Sequence, residues 1–171
     1  MRQEHLYNFS SGSIRSFLFS TYFFDVAKQF TLGKTERLKS RKLIDQLFKE
    51  GNTFNVFPFR VHFLMGVPSI TTAANPDNKA SKFHLKMGAG AAIRNFVKAT
   101  DRNRIKRITK ESWRLQKNIL QQKLAEKKIF LNVFLIYTAK DLPNYETVYN
   151  KVRLILDKLI KQTDENSPKV S

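Results

Sequence analysis

The chain has 171 residues, a formal net charge of +17 and a pI near 10.2; 42% of its residues are apolar, and it contains 15 Phe. That content excludes a disordered polypeptide and suits one domain with its own core, while the charge calls for an anionic partner: nucleic acid first, then an acidic membrane surface or an acidic protein. The absence of Cys excludes disulfides, thiol nucleophiles and Cys-ligated zinc and is compatible with a reducing cytoplasm, and no apolar run approaches the ~18 residues of a membrane-spanning helix.

Residues 1–29 show neither helical nor strand periodicity. Within them "SIRSFLFSTYFFDVA" has the look of a weak secretory leader, but Ser20, Thr21 and Asp25 interrupt its apolar patch. The stretch is expected to be an N-terminal extension, disordered or dispensable. "SRKLIDQLFKEG" then predicts a short helix with Ser40 as N-cap and Gly51 as a left-handed C-terminal cap. Leu43, Ile44, Leu47 and Phe48 share one of its faces.

"FPFRVHFLMG" alternates with period two. Phe59, Val61, Phe63 and Met65 fall on one side and Arg60, His62 and Leu64 on the other, with Pro58 at the start of the strand. A turn-rich loop follows over 68–81. "KFHLKMGAG" alternates again, Phe83, Leu85 and Met87 inward and Lys82, His84 and Lys86 outward. The two strands are expected to pair as an antiparallel ribbon, with room for a third short strand. A long basic helix is predicted from about residue 99 to Glu126. "KIFLNVFLIYT" is apolar at nearly every position, as in a strand covered on both faces. In the last predicted helix Tyr145, Val148, Tyr149, Val152, Leu156 and Leu159 form the apolar stripe, and "QTDENSPKVS" is a loose polar tail. The expected architecture is α+β, a single domain of order α-β-β-β-α-β-α around one mixed sheet, spanning 30–161 between the 1–29 extension and a 162–171 tail.

The stretch "ATDRNRIKRITKESWR" sets Arg102, Arg104, Lys106, Arg107, Lys110 and Arg114 against only Asp101 and Glu111. On a helical wheel Ile105, Ile108, Ser112, Leu115 and Ile119 span about 80°. Arg102, Asn103, Lys106, Arg107, Lys110, Arg114 and Lys117 fill an arc of about 140° that contains no acid. Solvated faces ordinarily mix charge signs at i,i+4 spacing, so this face is expected to meet phosphate. Arg grips phosphate oxygens in pairs and Lys acts as a mobile point charge. Thr100 or Asp101 is the expected cap. Trp113 is expected to pack against a neighbouring element rather than stack on a base.

These residues carry a family resemblance. "KATDRNRIKRITKESWR" resembles the RNR signature of the bacterial ribonuclease P protein component. "FTLGKTERLKSRKLIDQLFKEG" resembles that family's opening, with its RL pair and a helix ending in F-K-x-G. The likeness covers about residues 30–161. It implies a protein subunit of a ribozyme that removes the 5′ leader from precursor tRNA, in the cytoplasm. Its partners would be the catalytic RNA subunit and precursor tRNA, with magnesium bound mainly by RNA and no membrane or obligate protein partner. It also implies a left-handed βαβ crossover, against the usual right-handed rule. By resemblance Arg102, Asn103, Arg104, Lys106 and Arg107 contact the catalytic RNA, with Lys98, Lys110 and Arg114 extending the set. Phe48, Phe59 and His62 line a leader cleft, although Phe48 and Phe59 read equally well as core.

The residues themselves offer little to a protein nuclease. His5, His62 and His84 are the only imidazoles, and no compact carboxylate cluster suggests a two-metal site. No catalytic residue and no metal ligand is therefore expected on the protein. A ribosomal-type RNA-binding protein is the main rival reading, and a nuclease using His62 and His84 a second.

Overall fold

Apolar continuity marks one of the two interior strands of the sheet. In the computed structural model, which describes residues 30–66 and 85–165, the strand apolar at nearly every position, β4 (Phe130–Tyr137), has a neighbour on each side. The expectations placed on 1–29, the 68–81 loop, Lys82–His84 and 166–171 lie outside the described residues. Strands β1 (Asn52–Val56), β2 (Phe59–Gly66) and β3 (Leu85–Ala91) complete one mixed sheet in the order β1-β2-β4-β3. β1 is the expected short third strand and pairs antiparallel with β2, from Asn52↔Phe63 to Val56↔Phe59. β2 pairs antiparallel with β4, and β3 pairs parallel with β4. The expected ribbon between the 59–66 and 82–90 strands is thus not formed. Two alternating strands suit places beside a strand that is apolar on both faces, and a helical crossover from β3 to β4 makes that pair parallel.

The first helix, α1 (Arg41–Glu50), begins after Ser40, whose extended backbone places it at the N-cap. The cap works through the main chain: Ile44 N–H donates to Ser40 O at 3.0 Å, and the Ser40 side chain makes no cap bond. Gly51 ends the helix with φ −78°, not in the left-handed region expected. Space requires it instead, because a Cβ there would lie 2.3 Å from Leu47 O and 2.9 Å from Phe63 O.

The predicted long basic helix is two segments, α2 (Ala99–Gln116) and α3 (Asn118–Glu126), meeting at Lys117. Lys98 takes the N-cap position, so Thr100 and Asp101 lie inside the first turn rather than capping it. The buried side of α2 is also rotated from the predicted stripe, onto Ile105, Thr109, Ser112 and Trp113. Two polar residues are admitted because Thr109 Oγ1 donates to Ile105 O at 2.8 Å and Ser112 Oγ to Ile108 O at 3.0 Å. Ile119, past the break, is consequently exposed. Trp113 is fully buried and packs in the core.

The last helix, α4 (Tyr145–Glu165), buries Val148, Val152, Ile155, Leu156, Leu159 and Thr163, while Tyr145 at its start is exposed. It extends four residues into the expected polar tail. Lys123 in the last turn of α3 and Lys127 at its C-cap both bond Asp164, at 2.8 and 2.7 Å, and hold the end of α4 in place.

One face of the sheet carries Phe59, Val61 and Phe63 of β2, Leu131, Val133, Leu135 and Tyr137 of β4, and Leu85 and Met87 of β3. These join the helical core from α2, α3 and α4. The opposite face is covered by α1 over β2 and β4. Two different surfaces follow, one on α2 and one beside α1.

Candidate nucleic-acid interface

Burial of one side of α2 turns Asn103, Arg104 and Arg107 outward, and all three are exposed, as is Lys98 just before the helix. Lys106 and Lys110 flank them and are half-buried. Among the described residues Lys98, Arg104, Lys106, Arg107 and Lys110 form no ion pair, the pairs being those of Arg114, Lys117, Lys123 and Lys127. The Lys110 ammonium is pushed below its usual range, first by burial and then by Arg37, Lys106 and Lys39.

Three residues of the predicted cationic arc do something else. Lys117 is buried and pairs with Glu36, so it lies inside the protein rather than on the surface. Arg114 forms a two-pronged pair with Glu111 one turn back, Nε to Oε2 at 2.9 Å and Nη2 to Oε1 at 2.5 Å. The hydrogen bond from Arg114 holds the Glu111 carboxyl below the usual carboxylate range. Arg102 donates Nη1 to Phe96 O at 2.8 Å and to Val97 O at 2.5 Å. The loop entering α2 leaves those carbonyls without helical partners, and Arg102 reaches back to satisfy them. Through these two bonds it holds the loop. Asn95 holds the same loop from the other side, donating Nδ2 to Thr138 O at 2.6 Å and Ala139 O at 3.2 Å. Sequence reasoning had no signal for Asn95, since its partners are more than 40 residues away.

The second surface lies beside α1. Phe48 is 41% exposed, and its ring meets His62 edge-on with centroids 4.7 Å apart and Phe134 at 5.5 Å. His62 Nδ1 lies 3.0 Å from Thr53 Oγ1 on the neighbouring strand. Burial, and after it the nearby Arg60 guanidinium, lowers the His62 pKa below its ordinary value and so favours the neutral ring. Arg60 is exposed on the same face of β2.

Phe59 does not belong to this surface. It is 1% exposed and lies on the core face of β2, opposite His62. Its place beside Phe48 and His62 is taken by Phe134 of β4, which the sequence reading treated only as part of an apolar strand. The signal was in β3. Gly88 pairs with Phe134, and a Cβ on Gly88 would lie 2.3 Å from the Phe134 ring. Glycines two apart in a strand mark a close approach, here by an aromatic ring.

The two surfaces have distinct chemistry: unpaired cations suited to phosphate, and aromatic rings beside an Arg suited to an unpaired base. Among the described residues no group of three or more His, Asp or Glu converges in a way that could hold a metal ion, and no helix is long and apolar enough to cross a membrane.

Comparison with known proteins gives a consistent result. A family model described as Ribonuclease P matches residues 32–160. A ribonuclease P protein component from Porphyromonas gingivalis is 33% identical over 119 residues, covering 70% of this chain and 79% of that protein. The Staphylococcus aureus RNase P protein structure superposes with a TM-score of 0.50 at 16% identity, over 74% of this chain and 96% of that one. The Thermotoga maritima RNase P protein does so with a TM-score of 0.50 at 23% identity, over 72% and 96%. With the match spanning the whole sheet and the helices on both of its faces, the chain belongs to the ribonuclease P protein family.

Proposed function

We propose that the chain is the protein subunit of a ribonuclease P ribozyme, which removes the 5′ leader from precursor tRNA in the cytoplasm. The observation that carries this reading, beyond family membership, is the outward face of α2, where Arg104 and Arg107 stand exposed without ion-pair partners among the described residues. That face docks on the catalytic RNA, with Lys98, Asn103, Lys106 and Lys110 beside it. Phe48, His62 and Phe134, with Arg60 at their edge, receive the single-stranded leader by stacking, which tolerates any base. Magnesium held mainly by RNA phosphates would supply the metal-ion chemistry of the hydrolysis, and no residue of the protein is assigned to it. The protein's share is binding and placement. Mixing the chain with ribonuclease P RNA and precursor tRNA tests this: cleavage should require that RNA. Cleavage by the protein alone would indicate a nuclease, and no effect on either RNA a ribosomal-type binder.

Affinity for the catalytic RNA should fall steeply with salt, with a log–log slope of roughly −3 to −5 if about five cations neutralise phosphates. Arg104→Ala with Arg107→Ala should weaken that binding by about 1–3 kcal/mol per contact without loss of fold. These two are better probes than Arg102, whose removal would also release the 96–97 carbonyls. A flat salt response in a binding titration would remove the electrostatic account.

Phe48→Ala and His62→Ala should leave affinity for the bare catalytic RNA unchanged and reduce affinity of the holoenzyme for precursor tRNA, but not for mature tRNA. Equal losses for the two tRNAs would remove the leader assignment and leave the docking face in place.

A further inference from the structure

The cations on one flank of α2 have companions from a distant part of the chain. Residues 36–38 run along the outer edge of β3. Met87 N–H donates to Glu36 O at 2.8 Å, and Leu38 N–H donates to Met87 O at 3.0 Å, which pairs Arg37 with Met87 in the parallel sense. Glu36 reaches across to Lys117 and also accepts Gly33 N–H at 2.8 Å. Lys117 continues the side of α2 that carries Lys106 and Lys110, since these three positions fall within about 40° at 100° per residue. The ion pair therefore fixes the edge segment alongside that flank. Arg37 and Lys39 are brought to the same place as Lys106 and Lys110, and they are among the charges that bear on Lys110.

The segment's carboxylate, Glu36, is engaged by Lys117 and Gly33. Among the described residues none of Arg37, Lys39, Lys106 and Lys110 forms an ion pair. Arg37 donates Nε to Leu32 O at 3.2 Å, which steadies the guanidinium through one nitrogen. Core packing requires none of these four charges, and their mutual repulsion opposes the arrangement. An anion seated between them reverses the sign. An Arg fork and three ammonium groups approaching from two elements match a run of backbone phosphates better than a single helix face does.

We propose that Arg37, Lys39, Lys106 and Lys110 form a two-element cradle for backbone phosphates of the catalytic RNA, beside the outward Arg104 and Arg107 face and distinct from it. This rests on the reading of the chain as the subunit that binds this RNA. The Glu36–Lys117 pair positions the cradle and makes no contact with the RNA.

The test uses the full chain and ribonuclease P RNA, with binding titrated across salt. Arg37→Ala with Lys39→Ala leaves the main-chain pairing to Met87 in place. Affinity should fall roughly ten-fold, and the salt slope should become shallower by about 1–2. Lys39→Ala with Lys110→Ala repeats the measurement without disturbing the Arg37–Leu32 bond and should give a similar loss. In an acetylation footprint Lys39, Lys106 and Lys110 should be protected by the RNA and not by inorganic phosphate at equal ionic strength. Unchanged affinity and slope in both folded double variants, beside a clear loss in Arg104→Ala with Arg107→Ala, would overturn the cradle while leaving the proposed function intact. Protection by inorganic phosphate alone would overturn it in favour of a small-anion site. Failure of the unaltered chain to bind the RNA would overturn the function and the cradle together.

Discussion

Phe59→Ala is expected to lower the unfolding free energy by about 3–5 kcal/mol and the melting temperature by roughly 10 °C. The ring is 1% exposed, meets Tyr137 edge-on at 5.3 Å between centroids, and belongs to the cluster shared by β2, β4 and the helices. Truncation leaves a cavity between sheet and helices that a close-packed interior closes only in part. Phe48→Ala should cost only about 1–2 kcal/mol, because that ring is 41% exposed before truncation. Denaturant unfolding of the two variants side by side gives the comparison. A Phe59 variant no less stable than the Phe48 variant would show that the core face has been misassigned.

Glu36→Gln is the second large effect. It leaves Lys117, whose side chain is 3% exposed, as a buried cation without its counter-charge, and removing one partner of a buried pair costs about 3–5 kcal/mol. The neutral amide keeps an acceptor for Gly33 N–H, so the loss reports the charge rather than the segment's own turn. Lys117→Met in the same background should recover most of the stability, since a well-packed apolar side chain of similar length replaces the stranded charge. Additive losses in the double-mutant cycle would show that the two residues are not coupled.

The residues that the sequence located correctly are those whose placement follows from local periodicity. Alternation along 59–65 separated Phe59, Val61 and Phe63 from Arg60 and His62, and those are the two faces found. Phe59 was set beside His62 by resemblance alone, although alternation already put it on the other side of the strand, where it lies. The arc on α2 was legible from charge and spacing at Asn103 and Arg107, while Arg104, equally exposed, lay outside it and came into the set by resemblance. The arc failed at Lys117, because burial there depends on Glu36, 81 residues away. At Arg102 the helix wheel did not show the bonds to the carbonyls of the preceding loop. Strand neighbours were misread for a similar reason: two alternating strands suggest a hairpin, and only the crossover through α2 and α3 shows that β4 separates them.

The double tether of the loop before α2 has a metrical consequence. Asn95 binds the loop to the end of β4, and Arg102 binds the start of the helix to the loop, so the outward cations of α2 are indexed to the strand that carries Phe134. The sheet then acts as a gauge block between a surface suited to phosphate and a surface suited to bases. A nucleic acid that spans the two, as proposed, would have its length set by the width of a folded domain rather than by a flexible arm.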